Sequence, residues 1–154
     1  VLEIEEMPER FHAALNAKAI TYMYRICISQ VPSVFERKYV YYSFKKPDVD
    51  KMKIAANHLL GTHDFKYFSS VKKAKSTVKN ISAIEIYTDG EEIQISITAN
   101  GFLHNMVRMI VQTLIDIGLS NRSIDDTKLI LEGKAKPSAP AKAQGLFLED
   151  IKYE

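Results

Sequence analysis

The chain has 154 residues, one cysteine and no tryptophan. A single thiol, Cys27, excludes an intrachain disulfide framework and a cysteine-based zinc cluster, which fits a reducing cytosol. In its apolar, alternating segment Cys27 reads as a small strand hydrophobe rather than a nucleophile. The four histidines, His12, His58, His63 and His104, are scattered, and no pair has helical ligand spacing with a cysteine or acid partner, so no metal is expected. The six glycines stand apart and form neither a phosphate loop nor a dinucleotide fingerprint. No apolar run reaches membrane-spanning length, because Arg108 and Gln112 interrupt the longest one. There is no secretory signal pattern. The chain opens Val-Leu-Glu without an initiator methionine, and reads as a piece of something longer.

The excess of positive over negative charge is small, at net +2, but the charges are unevenly spread. The first residues are acidic (Glu3, Glu5, Glu6, Glu9). Between Phe65 and Asn80 stand five lysines, Lys66, Lys72, Lys73, Lys75 and Lys79, and no acid. A second acid-free stretch carries Lys134, Lys136 and Lys142. A lysine run by itself is more often a solvated loop than a site. Two such loops on a nearly neutral protein suggest a local polyanion footprint.

The length suits one domain, 1–154, with a real core. Ile20–Ser29 alternates and is β-branched and aromatic, so it reads as a strand ended by Pro32. Tyr22, Tyr24, Ile26 and Ile28 share one face; Thr21, Met23, Arg25 and Cys27 share the other. Lys38–Phe44 is extended. Asp48 caps an amphipathic helix, Val49–Leu60, closed by Gly61. The basic loop begins at Gly61. Val78–Thr88 alternates, with Ile84 and Ile86 on one face and Ile81 on the other. Asp89-Gly90 is a hairpin turn, and Glu92–Asn100 returns. A helix capped by Asn100 runs to Gly118, and the run Ser123-Ile-Asp-Asp caps another that ends at Gly133. Leu146–Tyr153 is a last strand. Strands and helices are segregated, which predicts an α+β fold with a mainly antiparallel sheet flanked by helices.

The helix after Asn100 is apolar almost all round and therefore buried. Its thin polar stripe is His104 or Asn105, then Arg108, Gln112 and Asp116. A guanidinium keeps its proton, and burial without an anion is costly. Arg108 thus calls for a carboxylate, a phosphate or an exit to water. On composition alone, a structural ion pair or a snorkelling side chain is the commoner outcome. Tyr22 can stack on a base or serve as core aromatic with similar weight. His63-Asp64 reads as a loop-ordering pair rather than an acid–base couple.

Four segments carry a resemblance: F-H-A-x-x-x-A-x-x-x-x-Y-x-Y-R-I from Phe11, G-T-H-D-F from Gly61, A-N-G-F-L-H-N-M-V-R from Ala99, and A-K-A-Q-G-L-F-L from Ala141. In order and spacing they resemble the C-terminal half of the tRNA pseudouridine synthase A family. The resemblance implies isomerisation of uridine to pseudouridine in the anticodon stem-loop of tRNA, without cofactor, metal or energy source. It implies a pseudouridine synthase-like C-terminal domain and a cytoplasmic homodimer with tRNA lying across both subunits.

By the same resemblance Tyr22 takes the place of a tyrosine that stacks on the target uracil and serves as base. Arg108 takes the place of an arginine that pairs with the catalytic aspartate, and Leu146 that of a leucine closing the pocket. Asn100, Lys72, Lys73 and Lys75 are the expected substrate contacts. The family's aspartate lies in an R-T-D-A-G-V-H-A-like motif that this sequence lacks, so the chain alone is expected to be inactive. The alternative is an RNA-binding or dimerisation module without chemistry. Ala14 and Ile20 depart from basic residues of the family pattern, which implies altered contacts to RNA.

Overall fold

The computed structural model describes residues 4, 6–13, 17–29, 39–74 and 76–153. Pro32, Lys38, Ala14, Lys75, Glu3 and Glu5, all given a part above, lie outside the described residues. The elements are β1 (Ala19–Ile28), β2 (Tyr41–Ser43), α1 (Val49–Asn57), β3 (Gly61–Asp64), β4 (Val78–Asp89), β5 (Glu92–Ala99), α2 (Met106–Gly118), α3 (Asp126–Leu131) and β6 (Leu146–Lys152).

β1 organises the sheet. β5 runs antiparallel along one of its edges, followed by β4 and β3. The other edge is shared end to end: β6 pairs with residues 19–24 and β2, in parallel, with residues 26–28. Every other pairing is antiparallel, so the α+β expectation holds.

Alternation in β1 puts Tyr22, Tyr24 and Ile26 opposite Ile97, Ile95 and Ile93 of β5. Tyr24, Ile26 and those three isoleucines are buried and join Met52, Ala55 and Ala56 of α1 and Met106, Ile110 and Leu114 of α2 in one core. Each such large side chain contributes about 1.5–3 kcal/mol on burial. Asp48 caps α1 as expected, its carboxylate accepting the N–H groups of Asp50 (3.0 Å) and Lys51 (3.3 Å). Gly90 turns the β4–β5 hairpin with a φ of 59°.

Four expectations outside α2 need correction. α1 ends at Asn57, and residues 58–60 continue only as a tightened turn with i→i+3 bonds. Gly61–Asp64 is an edge strand rather than the start of a loop. A bulge between Ile81 and Ala83 brings Ile81 round to the face of Ile84 and Ile86, where it is buried. α3 begins at Asp126, with Asp125 at its N-cap; the Ser123 hydroxyl instead accepts the Asp125 N–H at 3.3 Å.

The largest correction concerns α2. It starts at Met106, and Asn100 does not cap it. The Asn100 side-chain oxygen accepts the N–H of Asn80 at 2.9 Å, closing the end of the β4–β5 pair. Residues 101–105 form a non-helical connection that carries Phe102 and Leu103 across the end of the sheet. α2 itself is buried all round as expected, from Met106 and Val107 to Ile117. Among the described residues, no helix is long and apolar enough to cross a membrane.

Candidate active site

Tyr22 lies near the start of β1 on its inner face, beside a cavity. Tyr22 is half-buried, and its ring meets Phe102 edge-on, with centroids 5.3 Å apart and planes at 79°. That T-shaped contact helps hold the ring in place. The cavity, about 280 Å³, is lined by Tyr22, Leu146, Phe102, Leu103 and the first turn of α2 with Arg108. It is at the small end for ligand sites, a size suited to one base rather than a larger cofactor.

Arg108 reaches the cavity from α2 and is half-buried. Its Nε donates to the carbonyl of Ala141 at 2.6 Å, and its Nη1 to Oδ1 of Asn105 at 3.3 Å. The Ala141 N–H returns a bond to the Arg108 carbonyl at 3.0 Å. Both acceptors of the guanidinium are neutral. The ion pairs among the described residues join Arg25 to Glu92, Arg122 to Asp126 and Lys134 to Glu132, and none includes Arg108. Of the five donors of a guanidinium, three meet no acceptor among the described residues, which leaves them for a ligand or an incoming carboxylate.

Ala141 is held in place by polar contacts further back along its loop. The Ser138 hydroxyl donates to Asp116 at 2.5 Å and accepts from Arg122 at 3.1 Å, while its N–H donates to Thr113 at 3.2 Å. The buried Tyr24 donates its hydroxyl proton to the Lys142 carbonyl at 2.7 Å. Burial and the neighbouring Tyr41 push the Tyr24 phenol well above its ordinary range; the positive charge of Arg108 works against them. Gly145 then passes against Tyr24: a Cβ there would lie 2.8 Å from Tyr24 Cζ and 2.9 Å from the Arg25 carbonyl. Only a glycine lets β6 begin this close, and its first residue is Leu146.

Three sequence-picked residues therefore converge on one cavity: Tyr22, Arg108 and Leu146. Asn100 is exposed and does not line it. Lys72 and Lys73 are exposed in the loop after Phe68, outside the cavity. That loop is nevertheless moored to the cavity's edge. The Ser70 N–H donates to the His104 carbonyl at 3.0 Å, and Asn105 Nδ2 donates to the Ser70 hydroxyl at 3.1 Å.

Asp64 orders the other end of the same loop, accepting from the Thr77 hydroxyl (2.6 Å) and the Lys66 N–H (3.1 Å). The Thr77 bond holds its carboxyl below the ordinary range. The reading of His63-Asp64 as loop-ordering stands. Phe102 and Ala141 were not singled out from sequence. The first is one aromatic among many, and the second acts through its backbone carbonyl, which no side-chain pattern reveals. Among the described residues, no group of three or more His, Cys, Asp or Glu side chains could hold a metal ion.

Residues 55–154, which include α2 and the cavity's Arg108 and Leu146, match the family model for tRNA pseudouridine synthase. The tRNA pseudouridine synthase A 2 of Bacillus anthracis is 42% identical over 99% of this chain and 64% of its own length. The tRNA pseudouridine synthase A 1 of Clostridium tetani is 42% identical with the same two coverages. The tRNA pseudouridine synthase A of Halalkalibacterium halodurans is 40% identical over 94% of this chain and 56% of its own length. The chain thus spans less than two thirds of the length of these curated relatives. On the match of the greater part of its residues to one family model, the chain belongs to the tRNA pseudouridine synthase family.

Proposed function

We propose that the protein carrying this chain isomerises uridine to pseudouridine in the anticodon stem-loop of tRNA, and that this chain supplies one wall of the active site. The observation that carries the reading is the convergence of Tyr22, Arg108 and Leu146 on one cavity, with no carboxylate among the described residues paired to Arg108.

The chemistry asks for these groups. The glycosidic bond between N1 and C1′ breaks, the uracil turns, and C5 bonds to C1′. The C5 proton leaves and N1 gains one, so the product is an isomer and nothing is oxidised or reduced. A base taken out of its stack needs an apolar or aromatic surface, here the Tyr22 ring and Leu146. On this reading the Tyr22 hydroxyl is the base that takes the C5 proton, a role supported by the place of Tyr22 in the cavity wall. A carboxylate attacking or stabilising C1′ must stay ionised in a closed pocket, and a permanent cation beside it keeps it so. Arg108 supplies that cation. The carboxylate comes from the protein's remaining part, because the R-T-D-containing motif is missing from these residues.

The basic loop with Lys72 and Lys73, moored at the cavity's edge through Ser70, supports contact with tRNA phosphates. A cytoplasmic homodimer belongs to the same proposal. The outer sheet face, with Thr21, Met23, Gln94 and an exposed Tyr87, supports it as a place for a second copy.

The test is release of tritium from C5-labelled uridine in tRNA. Full-length protein is expected to release it, and Arg108→Gln to lower kcat by about 10²–10³-fold, as for loss of one charge-stabilising donor. The isolated chain is expected to release none. Turnover by the isolated chain would sink the shared-site reading, and tRNA binding without release by the full-length protein would favour the non-catalytic module.

A further inference from the structure

An asparagine at a helix N-cap ordinarily sits in extended backbone and accepts a first-turn N–H with its side-chain oxygen. Asn105 does neither. Its backbone is left-handed, at φ 62° and ψ 6°, and its side chain makes no capping bond. The other described non-glycine residue with positive φ, Ser120, lies just past the end of α2, where such a conformation commonly terminates a helix. At the start of α2, helix termination cannot be the reason.

The side chain of Asn105 is directed elsewhere. Oδ1 accepts from Nη1 of Arg108 at 3.3 Å, and Nδ2 donates to the Ser70 hydroxyl at 3.1 Å. The two bonds fix the amide's orientation together, because a guanidinium only donates and must face the oxygen. With Nε on the Ala141 carbonyl, the guanidinium plane is held at two points. Nη2 keeps both its hydrogens among the described residues. An amide is also neutral. It orients the cation and leaves the charge intact for another partner, which a carboxylate at the same place would not.

We propose that Asn105 is a positioning residue: its neutral amide, steadied by Ser70, sets the Arg108 head so that the terminal amino group faces the cavity with its charge uncompensated. The inference rests on the functional reading above, and the left-handed backbone is what lets the amide reach both partners.

Two variants separate this role from folding. Asn105→Gly keeps the backbone conformation and deletes the amide. Asn105→Asp keeps size and tolerance of the left-handed region but brings a negative charge against Arg108. In the full-length protein with tRNA, both are expected to keep KM within about twofold while kcat falls, about tenfold for the glycine and about a hundredfold for the aspartate. A wild-type kcat for Asn105→Asp, or equal losses in kcat and in tRNA binding, would overturn the proposal. Arginine side-chain NMR reads the same geometry without turnover. The Arg108 Nη groups should rotate slowly in the wild type and average in Asn105→Gly; equal rotation in both also overturns it. An inactive wild type with slowed Nη rotation would instead strike at the functional reading and leave the positioning role standing.

Discussion

A tyrosine on a strand and an arginine on a helix carry different parts of this site, and residue-scale tests can separate them. The Tyr22 ring is held by its T-shaped contact with Phe102, so removing the hydroxyl leaves the ring where it is. Tyr22→Phe is expected to bind tRNA within about twofold of wild type and to lower the rate of C5-proton release by about 10²-fold or more, the range of a lost general base. Tyr22→Ala removes the stacking surface too and should weaken binding as well. Single-turnover tritium release beside filter binding reads both; a Tyr22→Phe protein at the wild-type rate would confine Tyr22 to stacking. Arg108 was legible in the sequence because a guanidinium among apolar neighbours is a conspicuous anomaly. Its setting was not. It depends on a backbone carbonyl thirty-three positions away, at Ala141, and on an asparagine whose left-handed conformation leaves no mark in a hydrophobic pattern.

At the scale of elements, the site exists because the segment from Lys134 to Leu146 is packed between α2 and β1. Ser138 ties it to Asp116 and Thr113 of α2, and the Tyr24 hydroxyl holds its far end at Lys142. The last step onto β6 is Gly145, where an added Cβ would fall inside contact distance of the Tyr24 ring and the Arg25 carbonyl. The Tyr24 ring is fully buried and the other neighbour is backbone, so neither can yield cheaply. Gly145→Ala is expected to destabilise by about 1–3 kcal/mol, the cost of overpacking, and to raise KM by displacing Leu146. Urea unfolding and steady-state kinetics on one preparation test both halves; unchanged stability would mean β6 can shift away. Strong alternation made β1, β4 and β5 legible. β3 was missed because four residues starting with a glycine of φ 91° carry too little pattern. The bulge in β4 was missed because one extra residue reverses the alternation and only pairing with β5 exposes it. The start of α2 was misplaced because Phe102 and Leu103 continue its apolar pattern while serving as pocket wall.

For the whole molecule, the helices and cavity lie on one side of a single sheet, and the lysine-rich loop leaves from the cavity's edge at Ser70. A chain of net charge +2 has little long-range pull on a polyanion, so the tRNA contact proposed above rests on where its lysines are placed. Lys72 and Lys73 are exposed and belong to no ion pair among the described residues, so they are open to phosphate. Replacing both with glutamate in the full-length protein is expected to weaken binding to every tRNA alike and to leave the choice of modified uridine unchanged. It should also reduce the slope of log affinity against log salt by about one per lysine. The slope is the sharper reading, because reversing two charges lowers affinity through long-range repulsion even without direct contact, whereas counterion release is lost only where a lysine meets a phosphate. Weaker binding at an unchanged slope would therefore remove these lysines from the interface and leave the mooring at Ser70 as a matter of pocket architecture alone.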